Sequence, residues 1–297
     1  MNYNLILTVL VNGLAMGMVY ALISMGLILM FRSAGVMNFA QGNMLALGAF
    51  LAYWLLEQMK MPLGIAIPVC VIFFALVGLL FMLCIYLPLK DTTVPVAIVV
   101  ATMGASVILR EACQLIWGAL PLKVRSIMID AQGEGLTISF FGSTFAWQYL
   151  IIAVLGLILI LLVNALFEKT YVGKMMEATA QDKSTAVLIG TPTLICIAIT
   201  YMIAISMGCI GGFLVGPIFY VSNGLSSLQL RAFAAVVMGG TGNIKGAVIS
   251  ALLIGVFEAL ITLNFSAYKD VFVFGMLIIV LVIRPTGLFK AKIGDKA

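Results

Sequence analysis

The chain has 297 residues, of which 64% are hydrophobic and 9% charged, whereas soluble domains are roughly half apolar and a quarter charged. It carries a formal net charge of +5 and contains no histidine. These figures mark a polytopic membrane protein and exclude a soluble domain of ordinary size. The missing histidine removes His-based triads, His proton relays and the commonest metal ligand. The excess of Lys and Arg reads as a topology signal, not as a nucleic-acid surface. Cys70, Cys84, Cys113, Cys196 and Cys209 all fall in apolar stretches without CxxC spacing, so small buried hydrophobes are expected in place of disulfides or a zinc site.

A helix rises about 1.5 Å per residue through an apolar core about 30 Å thick. Nine apolar stretches meet this need in order, at 5–31, 38–56, 64–88, 94–117, 148–167, 192–214, 226–240, 246–264 and 271–284. The expectation is an all-α bundle of about nine transmembrane helices (range eight to ten), forming one domain over 1–297. Met1-Asn2-Tyr3-Asn4 supplies no positive n-region and no small-x-small cleavage site follows, so the first stretch is read as a retained helix. The stretch 226–240 is short, and reads either as a tilted crossing or as a re-entrant half-helix enclosed by protein.

Positive charge orients the bundle. Lys169, Lys174 and Lys183 crowd one loop, and Arg284, Lys290, Lys292 and Lys296 crowd the C-terminus, which places both in the cytoplasm. With nine crossings the N-terminus lies outside, Arg32, Lys90 and Lys245 fall inside, and Lys60, Arg110, Lys123, Arg125, Arg231 and Lys269 fall outside. The external loop 118–147 carries β-branched and aromatic residues on both sides of Gly142-Ser143, the pattern of a short hairpin. The internal loop 168–191 mixes charged residues with Met and Ala before Gly190 and Pro192, the pattern of one short amphipathic helix that lies in the headgroups or docks on a partner protein.

Few residues can carry chemistry. Neither Gly173-Lys174 nor the run from Gly239 through Gly240 and Gly242 to Gly246 completes a Walker A motif. The glycine run instead suits a tight turn and close helix approach. Ionisable residues inside apolar stretches need a reason. Arg110, Glu111, Arg231 and Glu258 are such residues; the readings are a structural ion pair, of Glu258 with Arg231 or Arg110, or the lining of a solute path or external gate. Asn38, Gln41 and Asn43 place three carboxamides within six residues at a helix start. Asn38 and Gln41 resemble a capping box, while Asn43 beside Ala46, Gly48, Ala49 and Ala52 is placed to contact a zwitterionic or amide solute.

Three blocks, in order, resemble the permease subunits of branched-chain amino-acid ABC importers, whose relatives also move urea and short amides. The first runs from Asn12-Gly13 through Tyr20-Ala21-Leu22 to Gly35-Val-Met-Asn-Phe-Ala-Gln-Gly and Gly48; the second spans Gly173 to Gly190 with Glu177, Ala178 and Asp182; the third is Ala234 to Ala247, trailed by Gly255 and Glu258. The resemblance implies that the second block is the coupling helix that docks on an ATPase. It implies as partners a homologous second permease subunit, in a heterodimer, two ATP-binding subunits and an external solute-binding protein, in a bacterial or archaeal plasma membrane. No cofactor is expected on this chain, ATP and Mg being used by the partner ATPase. Gln41 stands where many relatives carry His, and Asn43 where they carry an acid, so this seam has lost its titratable groups.

Two rival readings follow from other classes. One is a stand-alone channel or secondary transporter in which the amides, Arg231 and Glu258 form the filter. The other is an intramembrane enzyme built on Glu111, Glu258 or Asp270, which lacks an acid/base pair and a metal cluster.

Overall fold

The computed structural model describes residues 3–35, 37–90, 92, 95–128, 135–140 and 143–289. Val36, Gly142 and the C-terminal Lys290, Lys292 and Lys296 lie outside these. The helices are α1 (Tyr3–Ala34), α2 (Gln41–Tyr53), α3 (Leu63–Phe81), α4 (Leu87–Leu89), α5 (Pro95–Trp117), α6 (Trp147–Lys169), α7 (Tyr171–Gln181), α8 (Lys183–Leu188), α9 (Thr193–Val215), α10 (Leu228–Gly239), α11 (Ile244–Phe265) and α12 (Lys269–Ile283). A π-turn, Trp54–Gln58, extends α2, and another, Met82–Tyr86, joins α3 to α4. Among the described residues, six stretches are helical, long and apolar enough to cross a membrane: Leu5–Ala34, Leu63–Leu89, Val96–Trp117, Trp147–Lys169, Thr193–Val215 and Ile244–Ile283. The protein is thus an all-α, multi-pass membrane protein.

The expected hairpin is present: β1 (Thr137–Phe140) pairs antiparallel with β2 (Ser143–Ala146), Thr137 opposite Ala146. It feeds directly into α6 and so marks one end of the bundle. The opposite end carries α7. There Arg32 at the end of α1 pairs with Glu177 of α7 at 3.6 Å, and Lys245 at the start of α11 pairs with Glu168 of α6 at 2.9 Å. Lys183 of α8 donates to the Tyr86 hydroxyl at 2.6 Å, tying the end of α3–α4 to the same face. The chain after α12 also returns here, because the Leu288 amide donates to Met238 at 2.8 Å and Gly240 abuts Thr286 and Phe289.

The internal loop departs from the expectation of a single helix. Asp182 leaves the helical region and its carboxylate accepts from the Ser184 and Thr185 amides, ending α7 and capping α8. Gly190 (φ +81°) and Pro192 then stop α8 as expected. Cys84 is also a correction, being exposed; the other four cysteines are buried and all five are free.

α1 is the buried spine of the bundle, with an unbroken buried run from Ala15 to Met30 apart from Met16. Glycine lets its neighbours approach closely. A Cβ on Gly48 of α2 would strike the Cys209 carbonyl of α9, and one on Gly212 of α9 would strike the Leu45 carbonyl of α2. Such backbone contact is how helices associate in lipid, where burial adds little. Gly104 on α5 meets nothing within 4 Å. Gly48→Val is therefore expected to lower the detergent unfolding midpoint, at a cost of about 1–3 kcal/mol, whereas Gly104→Ala leaves it unchanged; equal midpoints for the two variants would contradict this packing.

Candidate functional site

Two helices begin inside the bundle. Gln41, the first residue of α2, donates its Nε2 to Ala204 of α9 at 2.8 Å, and Ala204 stands about 17 Å along α9 from its α7-side end. α2 therefore starts at mid-depth and rises parallel to α9 toward the hairpin end, where Glu57 accepts from the Arg125 amide at 2.7 Å. α10 mirrors it. The chain leaves α9 at the hairpin end, where Leu122 and Val221 form a bridge, and passes through a 3-10 turn, Asn223–Ser227, before α10 starts. Ser24 of α1 donates to Ala232 at 2.9 Å, fixing α10 at mid-depth. The stretch 226–240 is thus the helical half of a broken segment whose other half is 216–227.

The two half-helix N-termini meet. Gln229 near the start of α10 accepts from the Gly42 amide at 2.5 Å and donates to the Asn38 carbonyl at 3.3 Å. The residue before each helix gives no side-chain cap; Gln229 takes the Gly42 amide of α2, and the 3-10 turn runs straight into α10, where the Leu228 amide donates to the Leu225 carbonyl. The capping-box expectation is corrected here: Asn38 accepts from the Ala40 amide at 2.9 Å, outside the helix, and Gln41 turns away to α9. A non-helical strand end at this depth must satisfy its backbone within the protein, and Asn38 and Gln229 do so.

α5 covers the junction. Its Thr102 hydroxyl accepts from the Phe39 amide at 3.3 Å. Asn43 donates to the Ser106 hydroxyl at 2.5 Å and to its carbonyl at 2.9 Å. One turn further, the Arg110 carbonyl accepts from Asn223 at 3.3 Å. Asn43 therefore faces α5; the small residues Gly48 and Ala49, expected beside it, pack on α9 instead. The amide oxygens of Gln41, Asn43 and Asn223 are buried without a hydrogen-bond partner. Arg110 and Glu111 pair with each other at 3.1 Å, with side chains 54% and 49% exposed. No signal in the sequence pointed to Gln229, Asn223 or Ser106, because their meaning comes from where two chain breaks fall in space.

Arg231 and Glu258 are brought together, at 3.1 Å with side chains 9% and 10% exposed. Arg231 also pairs with Asp270, and Glu258 with Lys269 at 3.5 Å and the Tyr20 hydroxyl at 2.7 Å. The pairing of Glu258 with Arg231 is as expected, and that with Arg110 is not formed. Arg231, expected outside, is buried, because 216–227 runs in from the hairpin end without α-helix and α10 starts inside the bundle.

At the α7 face, Gly173 lies against the Leu166 and Phe167 backbone, and Thr170 caps α7 by accepting from the Gly173 amide. Glu177 bridges Arg32 and Lys174, the latter at 3.3 Å. Ala178 accepts at its carbonyl from the Asp182 amide at 3.1 Å. Hydrogen bonds from Ser184 and Thr185 hold the Asp182 carboxyl well below the usual carboxylate range. Its folded pKa being depressed, the cap is complete above the ordinary carboxylate value and is lost only as pH falls through the lowered one. Gly239 abuts Gly246, and Gly240 and Gly242 take positive φ, so the glycine run is a tight turn. No cluster suited to a metal occurs among the described residues.

Comparison with known proteins shows the family. The family described as "Branched-chain amino acid transport system / permease component" matches residues 9–281. The chain belongs to this family. Relatives include the high-affinity branched-chain amino acid transport system permease protein LivH of Salmonella typhimurium and of Escherichia coli, each 28% identical over 93% of both chains. The corresponding BraD of Pseudomonas aeruginosa is 31% identical over 94% of both. Among solved structures, PsaBC from Streptococcus pneumoniae in complex with Fab matches with a TM-score of 0.50 at 13% identity, covering 93% of this chain and 91% of that one; this likeness concerns the fold. As a permease of this family, the protein is a transport subunit.

In this permease Arg231 pairs with two carboxylates, Glu258 and Asp270, and breaking a buried pair from one side costs about 3–5 kcal/mol. Arg231→Leu is expected to lower the yield of folded protein more than Glu258→Leu, which leaves Arg231 with Asp270. The Arg231→Leu/Glu258→Leu double variant should recover most of that loss, as read by size-exclusion yield and unfolding midpoint. A double variant as damaged as the worse single one would contradict a structural pair.

Proposed function

We propose that the chain imports branched-chain amino acids, or a closely related amino-acid or amide solute, as the permease subunit of an ATP-driven transporter. The observation that carries this reading is the meeting of the α2 and α10 N-termini at mid-depth against α5. The two helix starts carry partial positive charge suited to a carboxylate, and buried amide oxygens beside them accept from N–H donors, so both poles of a zwitterion find complements. Asn38, Gln41, Asn43, Arg110 and Glu111 belong to this path. The exposed Arg110–Glu111 pair lies about 10 Å inside the end of α5, where facing lipid would be costly. That face of α5 therefore meets the path or a second, homologous permease, and a heterodimer encloses the solute between them.

Nine passes follow if α2 and α10 each count with their non-helical halves, with the N-terminus outside. The α7 face and the C-terminus are cytoplasmic by the placement of Arg32, Lys169, Lys174, Lys183 and Lys245. There Gly173, Glu177, Ala178, Asp182 and Gly190 shape the dock for two ATP-binding subunits, which use ATP and Mg; this chain holds no cofactor. A solute-binding protein delivers at the hairpin end. The membrane is a bacterial or archaeal plasma membrane. Docking strain on α7 reaches α1 through Arg32–Glu177 and reaches the half-helix α10 through Glu168–Lys245 and the glycine turn.

The test is reconstitution with co-purifying subunits. An exposed ion pair contributes little to stability, about 0–1 kcal/mol, so Glu177→Lys is expected to leave the complex assembled. It should reduce ATP-driven leucine uptake at least about tenfold while ATP hydrolysis continues. Uptake equal to that of the unaltered complex would overturn the docking role of α7.

A further inference from the structure

On the far side of α10 from the α2–α5 junction lies a cavity of about 350 Å³, bounded by α1, α6, α10, α11 and the start of α12. Its lining is mixed: Val9, Met16, Leu228 and Leu263 are apolar, and Arg231, Glu258 and Lys269 are charged, with Tyr20 and Asn12 among them. A volume of this order suits a small-molecule pocket with a few convergent polar groups.

The charges cancel. Arg231 and Lys269 pair with Glu258, which lines the cavity, and Arg231 also pairs with Asp270, which lies behind it outside the lining, so the linked network presents both signs and is neutral only as a whole. A lone anion or cation would leave one sign unbalanced, whereas a zwitterion does not. The network also keeps bonding capacity. The Asn12 amide oxygen is buried without a partner and can accept from an ammonium. Lys269 is 40% exposed and sits 3.5 Å from Glu258, a loose contact from which its ammonium can turn to a carboxylate. The apolar lining residues, Val9, Met16, Leu228 and Leu263, leave room beside these groups for an aliphatic side chain. The mouth lies toward Lys269 and Thr262, at the end of the bundle opposite α7.

We infer that this cavity is a binding site for a free aliphatic amino acid, separate from the α2–α5 junction. Lys269 holds the carboxylate, and Asn12 and Glu258 hold the ammonium. The inference rests on the amino-acid reading of the permease, and deepens it by giving the chain an outer site of its own.

The test uses the full chain, with its co-purifying subunits, in nanodiscs, and labelled L-leucine as the probe in a binding assay without any solute-binding protein. Saturable binding is expected. 4-Methylpentanoate and 3-methylbutylamine, each lacking one pole, should compete at least about tenfold more weakly than unlabelled leucine. Thr262→Trp, which fills the mouth, and Lys269→Met should each weaken binding at least about fivefold with an unchanged unfolding midpoint. If both variants bind leucine as the parent does, the cavity is not the site, while ATP-driven leucine uptake by the same preparations still upholds the amino-acid reading. If no aliphatic amino acid is bound or taken up, that reading fails and the inference with it. A phospholipid retained at the cavity in native mass spectrometry, with no leucine binding, also overturns it.

Discussion

Backbone polar groups at membrane depth have to be satisfied inside the protein, and the architecture turns on how this chain meets that demand at two breaks. The segments 37–40 and 216–227 run without α-helix into the bundle. Asn38, Thr102 and Gln229 take up the amides and carbonyls they would otherwise strand. α1, α9 and α5 surround the junction, and the contact of α2 with α9 depends on glycine at 48 and 212, where backbone meets backbone. A polar site in an apolar bundle is thus stabilised by its enclosure, and the same enclosure leaves three carboxamide oxygens without partners.

The junction is mechanically connected to the far face. α10 begins at Gln229's contact with α2 and ends at Gly239, where the glycine turn leads to Lys245 and its partner Glu168 on α6. α7 follows α6 after a single capping residue, Thr170. A displacement of α7 therefore has a short, packed route to one of the two helix starts, and a second route through Arg32 and α1, which carries the Ser24 bond to Ala232. Two discrete arrangements of this route, each favoured by a different ligand state, are what coupled transport requires.

Much of this was legible in the sequence. The apolar runs located every long helix within a few residues, the hairpin followed from β-branched and aromatic residues around a turn pair, and the cost of charge in an apolar stretch offered the Arg231–Glu258 pair as one of several readings. What escaped shares one cause: periodicity reports that a segment is helical but not the depth at which it starts. The short run 226–240 allowed two readings, and neither included a non-helical first half in 216–227, so Arg231 was put at an interface when it is buried. Asn38 and Gln41 satisfied a local capping pattern, yet Gln41 is drawn to α9 by the Ala204 carbonyl, a tertiary bond invisible at three-residue spacing. Asp182 was picked out as part of a single coupling helix by resemblance, and its carboxylate instead splits the loop into two helices by capping the second.

The central claim is that the solute passes along α5 where the two half-helices meet, and thiol accessibility tests it most directly. In the assembled transporter, with the five native cysteines replaced, single cysteines at Met103, Val107 and Glu111 are compared with ones at Leu157 and Leu161 on α6. The account predicts rapid modification by a charged, membrane-impermeant thiol reagent at the three α5 positions, slowed by substrate, and none at the two α6 positions. Equal protection of both helices, or modification of α5 indifferent to substrate, would contradict it.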